Sequence, residues 1–316
     1  MKILKDKTAI GNRTVAVKRK RSMLFVFTVL VFFVVYRFSL FSYFGFVIAS
    51  DAKNIIRDFE RSYLYSHVLM NREYIDFKNS ILNKPITSKE EISSLINHSK
   101  KLSGDNVTNF SYANLAQGKV KYSLYKKMEF EKRKIDDNTL YIRLTNFGEN
   151  AEDKFYKAIE KAKNIDYLIL DLRGNHIYSL DEVIKIADDL LPGNSTIAAV
   201  EFANSKHQYS SDNFFYEFKK IFVFLNQESG CGSEMLALTL KENLKDNVEI
   251  IAKDTMGMNI GQIYKTYYNK INFSIASFRW NVKGQNSKDL AKHLVKYKNT
   301  ELKNLEDYMA VVETLK

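Results

Sequence analysis

Cys231 is the residue of this chain best suited to nucleophilic chemistry, and it is the only cysteine among the 316 residues. It follows the strand-length apolar run 221–226, lies in a turn with two glycines, and precedes a periodically apolar segment that ends near Leu244. This order predicts a strand, a turn and an amphipathic helix. A thiol in such a turn is lifted off the strand edge and lies at a helix N-terminus, where peptide dipoles stabilise a thiolate.

Two loops rich in polar residues, 171–179 and 227–233, each follow a predicted buried strand. In parallel α/β sheets, chemistry takes place at the carboxyl ends of the strands, so these loops are candidates for one site. We expect Asp171 and Arg173 to form a structural ion pair there, Asn175 to orient its loop, and Ser233 to cap the following helix.

The elements that must position these loops begin at residue 138. Strand patterns occupy 139–143, 167–171, 197–202, 221–226 and 248–253, and helical patterns occupy 151–163 and 179–191. Apolar strands that alternate with amphipathic helices predict an α/β fold with a mostly parallel sheet and flanking helices. The core is expected to span 138–316.

The net charge of +11 resembles that of a nucleic-acid-binding protein until it is divided along the chain. Residues 1–22 hold eight basic residues and one acidic residue, which gives +7, and Arg37 adds one more charge. The remaining +3 is too small for a polyanion-binding surface, so we expect no nucleic-acid partner.

Residues 23–49 form an apolar stretch that Arg37 interrupts, and about 20 residues suffice to cross a bilayer. The basic segment 1–22 predicts a cytoplasmic N-terminus, so the rest of the chain is expected outside the cell membrane as a single-pass protein. The competing interpretation is a signal peptide cleaved after the sequence Val-Ile-Ala at 47–49. The apolar stretch is long for a signal peptide, which favours the uncleaved anchor.

Residues 51–137 are predicted to form a small helical subdomain. Residues 55–68 carry a helical apolar stripe, and Thr87 with Glu90 three residues later indicates a helix start.

Three ordered motifs resemble those of the C-terminal processing, or tail-specific, serine peptidases. Segment 171–178 reads Asp-Leu-Arg-Gly-Asn-His-Ile-Tyr, where the family has Asp-Leu-Arg-Asn-Asn-Pro-Gly-Gly. Segment 229–234 reads Ser-Gly-Cys-Gly-Ser-Glu, where the family has Ser-Ala-Ser-Ala-Ser-Glu. Segment 255–262 reads Thr-Met-Gly-Met-Asn-Ile-Gly-Gln, where the family has Thr-Phe-Gly-Lys-Gly-Thr-Val-Gln. The resemblance extends from residue 138 to the closing helix at 302–315. The family's usual peptide-binding PDZ module has no room between residues 103 and 138.

This resemblance assigns roles and also marks departures from the family. Cys231 stands at the position of the catalytic serine and Met258 at that of the general-base lysine, whereas the orienting glutamine is kept as Gln262. A thioether cannot accept the proton of the nucleophile, so the serine-lysine dyad is absent. The family's pair of glycines is replaced by Ile177 and Tyr178, which adopt glycine backbone angles poorly.

Three chemistries remain open for the site. In the first, Cys231 acts alone as a thiolate. In the second, His176 supplies the base, because the resemblance places the loop of His176 beside the nucleophile. In the third, the site is inactive. The Gly232 N–H is the remaining oxyanion donor that the resemblance implies.

The function implied is that of a membrane-anchored extracytoplasmic peptidase that cleaves peptide or protein substrates by acyl transfer. The alternative is an inactive relative that binds peptides or partner proteins at the membrane. No cofactor is expected, and no metal is expected because the histidines show no ligand spacing.

Overall fold

The computed structural model describes residues 26–30, 45–112, 128–162, 164–176, 179–267, 271–295 and 301–316. The strands in this part of the chain are β1 (Phe46–Ile48), β2 (Ile86–Ser88), β3 (Asn109–Tyr112), β4 (Phe130–Asp136), β5 (Thr139–Leu144), β6 (Tyr167–Asp171), β7 (Thr196–Phe202), β8 (Lys206–Ser210), β9 (Lys220–Phe224), β10 (Val248–Ile251), β11 (Ile260–Thr266) and β12 (Ile271–Asn281). The α-helices are α1 (Ala49–Ser62), α2 (Arg72–Leu82), α3 (Lys89–Ser103), α4 (Ala151–Glu160), α5 (Leu180–Asp188), α6 (Gly232–Leu244) and α7 (Leu305–Leu315).

The first sheet has the strand order β10-β9-β6-β5-β4, and its four strands other than β4 are parallel. The crossovers run through α4, α5 and α6, as the alternating pattern predicts. The prediction of an α/β fold with a mostly parallel sheet is confirmed for this half of the core.

A second sheet was not predicted, and it is antiparallel throughout. It joins β11, β12, β7 and β8, and β3 adds to β12 beside β7. The assignment of 197–202 to the parallel sheet is therefore wrong: β7 turns into β8 and pairs with β12. A short hairpin satisfies the hydrogen bonds of β7 locally, whereas a parallel partner needs a longer crossover.

The main core lies between the two sheets and contains helices α4, α5 and α6. Leu168 and Val223 of the first sheet, Leu236 and Leu240 of α6, and Trp280 of the second sheet all belong to this cluster, and each is at most 1% exposed. Ten of the thirteen residues of α6 are buried, as expected for a helix covered on both sides. The opposite face of the first sheet is covered by α7 through Tyr308, Val311 and Val312.

The predicted boundary at residue 138 lies inside a hairpin. Strand β4 pairs with β5 from Phe130 to Asp136, so the core includes residues that were assigned to the helical subdomain. The charged sequence of β4 hides this strand, because an edge strand with mostly exposed side chains shows little apolar alternation.

The helical region packs directly on the second sheet. Ile55 and Phe59 of α1 share a core cluster with Ile271 and Phe273 of β12. The start of α3 lies one residue later than predicted: Ser88 caps the helix by accepting from the Glu91 N–H, and Glu91 in turn accepts from the Ser88 N–H.

Most of the predicted membrane segment lies outside the described residues, namely 23–25 and 31–44. Among the helices that are described, none is both long and apolar enough to cross a membrane. The last part of that segment belongs to the folded domain, since Phe46–Ile48 pairs with Ile86–Ser88 and Val47 is 2% exposed.

Candidate active site

The two predicted loops at the carboxyl ends of β6 and β9 are joined by hydrogen bonds. The Asn175 carbonyl accepts from the Gly230 N–H at 3.1 Å and from the Ser233 hydroxyl at 2.6 Å. The Ser229 hydroxyl donates to the Leu172 carbonyl at 2.8 Å. Asn175 therefore ties its loop to the turn at Cys231, and Ser233 serves this contact rather than capping the helix as predicted.

Cys231 lies immediately before the first residue of α6, as the sequence predicts. Its backbone has φ 47° and ψ −91°, a conformation that costs energy for a residue with a Cβ. The side chain is 1% exposed, and the thiol donates to the Ile260 carbonyl at a sulfur-to-oxygen distance of 3.3 Å. A nucleophile-like turn is thus present, with its thiol directed at the start of β11.

Glu234 holds the strained turn and the facing loop together. Its fully buried carboxylate accepts from the N–H groups of Cys231 (2.8 Å), Gly257 (2.6 Å) and Met258 (2.9 Å), and from the Thr255 hydroxyl (2.6 Å). Burial raises the pKa of this carboxyl, and the four donors oppose that shift. The same oxygen, Oε2, accepts from Cys231 and Met258, so their amides lie next to each other.

Met258 is therefore adjacent to the nucleophile position, where the resemblance places it. Met256 of the same loop packs on Gly230, where an added Cβ would collide with its thioether. A pocket of about 410 Å³ borders this loop and is lined by Asn106, Val107, 256–260 and Gln262. The thioether of Met258 cannot act as a base for the thiol proton.

Gln262 lies on β11, two residues beyond the carbonyl that accepts from the thiol. Its Nε2 donates to the Val107 carbonyl at 2.8 Å, and its Oε1 accepts from the Tyr264 hydroxyl at 3.2 Å. These contacts fix the amide at the margin of the 410 Å³ pocket.

His176 lies on the loop that follows β6, two residues beyond Gly174. Its side chain is exposed, and Nδ1 lies 3.2 Å from the Gly174 carbonyl. It lines a second pocket of about 350 Å³, and neither Met258 nor Gln262 is among the residues that line this pocket. Within the described ranges no hydrogen bond joins His176 to Cys231, so the structure does not bring this predicted pair together.

The predicted oxyanion donor, Gly232, is buried and is the first residue of α6. The N–H groups of a first helical turn have no acceptor within the helix, so this donor is suited to an external acceptor. Ile177 and Tyr178, the residues at the family's glycine pair, lie outside the described residues.

The predicted ion pair of Asp171 and Arg173 is confirmed. Nε and Nη2 of Arg173 donate to the buried carboxylate of Asp171, at 2.8 Å and 2.6 Å. Asp171 also accepts from the Tyr141 hydroxyl at 2.6 Å, and Arg173 stacks on Tyr308 at 4.7 Å from the ring centroid. This network closes the end of the first sheet against α7.

Two further residues, Glu234 and Arg143, contribute to this site and were not predicted from the sequence. Glu234 was only the last residue of a motif, and its spacing before a Thr-x-Gly segment is the signal that could have indicated a carboxylate acceptor. Arg143, the penultimate residue of β5, lies 3.4 Å from Asp171, but strand pairing across the sheet is needed to place it there.

The chain was compared with known proteins. The model of peptidase family S41 matches residues 138–296. The carboxy-terminal processing protease CtpA of Bacillus subtilis (strain 168) is 26% identical over 148 residues, which cover 46% of this chain and 31% of that protein. The chain thus matches about a third of the length of the curated relatives.

Two solved structures share the fold. A lipoprotein from Streptococcus agalactiae has a TM-score of 0.56 at 14% identity, covering 84% of this chain and 95% of that chain. The photosystem II D1 C-terminal processing protease has a TM-score of 0.54 at 14% identity, covering 82% and 96%.

Proposed function

The chain belongs to peptidase family S41, and on this premise we propose that it is a membrane-anchored extracytoplasmic peptidase with Cys231 as its nucleophile. Its substrate class would be peptides or proteins. Both the family membership and the occupation of the nucleophile position by a thiol support this proposal.

The observation that carries the proposal is the backbone of Cys231. A residue with a Cβ at φ 47° and ψ −91° costs roughly 1–3 kcal/mol, and such strain clusters at functional sites. Burial of an inert thiol requires no strained turn. The four-fold acceptor Glu234 holds this conformation by accepting from the Cys231 N–H, and the Gly232 N–H of the next residue is the oxyanion donor in this proposal.

Acyl transfer would proceed in two steps. The sulfur of the Cys231 thiolate attacks the substrate carbonyl carbon, the Gly232 N–H stabilises the oxyanion, and the C–N bond breaks as the amine leaves with a proton. Water then hydrolyses the thioester and restores the thiol. Gln262 would orient the strand that carries Ile260.

The proton of the thiol must leave before attack. It is held by the Ile260 carbonyl in the described conformation, and His176 is exposed on the neighbouring loop. We propose His176 as the base, which requires its loop to move toward Cys231 when substrate binds. Catalytic contacts often tighten only in the substrate complex.

A second candidate function is peptide binding without hydrolysis. The burial of Cys231 favours it, as does the exposure of His176, which lines a different pocket from Met258. Such a protein would retain the pockets and bind peptides or partner proteins at the membrane.

The membrane location rests on the sequence between the basic segment 1–22 and strand β1. The apolar residues 23–44 leave about 22 positions before the folded domain, close to the length that a span requires. Uncleaved full-length protein in the membrane fraction would support the anchor. A mature N-terminus at Ser50 would contradict it.

Labelling with a thiol-directed electrophilic peptide tests the nucleophile. The full chain, Cys231→Ala, His176→Ala and the matched control His207→Ala are treated alike, because His207 is an exposed histidine on β8. We expect labelling of the wild type and of His207→Ala, at least tenfold slower labelling of His176→Ala, and none of Cys231→Ala. Absence of labelling in the folded wild type would favour the binding function instead.

A further inference from the structure

The 350 Å³ pocket beside the nucleophile loops has an unusual wall of hydrogen-bond donors. It lies at the carboxyl ends of β5, β6 and β9, and Arg143, Arg173, Asn226 and Lys303 line it. We refer to this cavity as the basic pocket. Its volume falls within the range of roughly 300–1,000 Å³ that is usual for small-ligand sites.

The charges of the basic pocket are not balanced. Arg143 and Arg173 share one carboxylate, the fully buried Asp171, so one positive charge remains between them. The Arg143 side chain is 34% exposed, and only its Nη1 contacts Asp171, at 3.4 Å. Its Nη2 and Nε make no hydrogen bond with any other residue that the structure describes. A planar guanidinium with free donors matches a carboxylate.

Two uncharged acceptors in the wall, Asn226 Oδ1 and the Thr145 hydroxyl, are already engaged. Asn226 Oδ1 accepts from the Gly174 N–H at 2.8 Å and from the Glu228 N–H at 3.2 Å, which leaves the Nδ2 donors of Asn226 for a ligand. The Thr145 hydroxyl is bonded to the backbone of Glu129. A ligand that only accepts hydrogen bonds therefore fits this pocket better than one that donates.

Glu228 is the one acidic residue among the described lining residues. Its side chain is exposed near Gly174 and forms no ion pair within the described part of the chain. It lowers the positive potential at the rim and would compete with an incoming anion. Its removal should strengthen anion binding, which makes it an informative position.

Resting on the proposed function, we propose that the basic pocket binds a carboxylate of the peptide substrate, either its C-terminal carboxylate or an acidic side chain. Gly174 and His176 lie on loop 171–179, and Glu228 lies on the turn that carries Cys231. All three line the pocket, so a peptide held here would lie across the nucleophile turn. Arg143 is the main specificity residue, with Asn226 and Lys303 as further donors.

Fluorescence anisotropy with dansyl-labelled tetra-alanine tests this proposal. The detergent-solubilised full chain is titrated against the free acid, the C-terminal amide, and an amide with one internal glutamate. Charge-assisted hydrogen bonds predict about tenfold tighter binding of the free acid than of the plain amide. Tight binding of the glutamate amide as well would assign the site to any peptide carboxylate. Equal affinities for all three would overturn the proposal.

Three variants locate the effect. Arg143→Gln should abolish the acid preference, Glu228→Gln should increase it about threefold, and the distant control Lys219→Gln should leave it unchanged, each with wild-type circular dichroism. Persistence of the preference in Arg143→Gln together with no gain in Glu228→Gln would overturn the assignment to this pocket. Should Arg143→Gln fail to fold, the result for Glu228→Gln decides by itself.

The anisotropy experiment measures binding and needs no turnover. The proposal of a carboxylate-binding pocket and the proposal of a Cys231 peptidase can therefore fail separately. Cys231 labelling without an acid preference would overturn the basic pocket and leave the peptidase proposal standing. An acid preference without Cys231 labelling would support the pocket and favour the binding function.

Discussion

The nucleophile turn and the loop that faces it are built differently. Turn 226–233 is tied to the neighbouring loop through several partners, including Leu172, Gly174 and Asn175. In loop 254–259, Thr255, Gly257 and Met258 all hydrogen-bond to the single carboxylate of Glu234. The turn that carries Cys231 is thus held by several residues, whereas three polar contacts of the facing loop converge on one carboxylate, and this loop carries a thioether at position 258.

This difference indicates that the backbone geometry of the turn at Cys231 does not depend on which side chain occupies the base position. The turn can keep its strained geometry after the base has been lost, because Glu234 binds the Cys231 amide directly. Four predictions test this separation, from the largest expected effect to the smallest.

Glu234→Ala should lower the free energy of unfolding by roughly 3–5 kcal/mol. The substitution leaves the buried N–H of Cys231 and the half-buried N–H of Met258 without an acceptor, at about 1–3 kcal/mol each. Urea unfolding followed by circular dichroism measures the change. Glu234→Gln keeps the shape and one acceptor oxygen, so it should lose less. A loss below about 1 kcal/mol in Glu234→Ala would show that the carboxylate does not hold the two regions together.

Met258→Lys should accelerate alkylation of Cys231 roughly tenfold at neutral pH, since a nearby positive charge favours the thiolate. The rate of iodoacetamide modification is followed by intact-mass spectrometry from pH 6 to 10. Met256→Lys on the same loop is the matched control, because its N–H bonds the Ser229 carbonyl rather than Glu234. Equal acceleration in both variants would show that Met258 holds no special position.

Cys231→Gly should be more stable than Cys231→Ala by about 1 kcal/mol. Only glycine adopts φ 47° and ψ −91° without a steric cost from Cβ, and this outweighs the loss of chain entropy. Thermal unfolding of the two variants compares them directly. Equal stability, or greater stability of the alanine variant, would remove the argument from backbone strain.

Asp189 provides a contrast with Glu234, whose buried carboxylate has four hydrogen-bond donors. The buried Oδ2 of Asp189 has no hydrogen-bond partner within the described residues. Burial, followed by the charges of Glu152, Asp188 and Asp212, raises the pKa of Asp189 from 3.8 to about 7. The folded state therefore favours the protonated acid, and stability falls as the pH rises from about 4 through 7. Asp189→Asn should raise the melting temperature at pH 8 and leave it unchanged at pH 4. A gain at both pH values would exclude titration as the cause.

The parallel half of the fold was predictable from sequence, and the antiparallel half was not. Strands β6 and β9 are continuous apolar runs, the pattern of strands buried on both faces. Strands β11 and β12 follow a glycine-containing loop and mix polar with apolar residues, so their pairing depends on partners far along the chain.

The position of Cys231 was predictable because it depends on a local strand, turn and helix. The family assignment from three short motifs is confirmed by the match over residues 138–296. The role of Glu234 was not predicted, because three of its four donors come from residues 21 to 24 positions away. The exposure of His176 and its place in the 350 Å³ pocket depend on tertiary packing, which the order of residues does not specify.

The central claim is that Cys231 forms a covalent acyl intermediate. Intact-mass spectrometry of the full chain after brief exposure to an activated peptide ester measures this directly. We predict one added acyl group per chain, removed by hydroxylamine and absent from Cys231→Ala. An unmodified wild-type protein, or an acyl group that persists in Cys231→Ala, would contradict the claim.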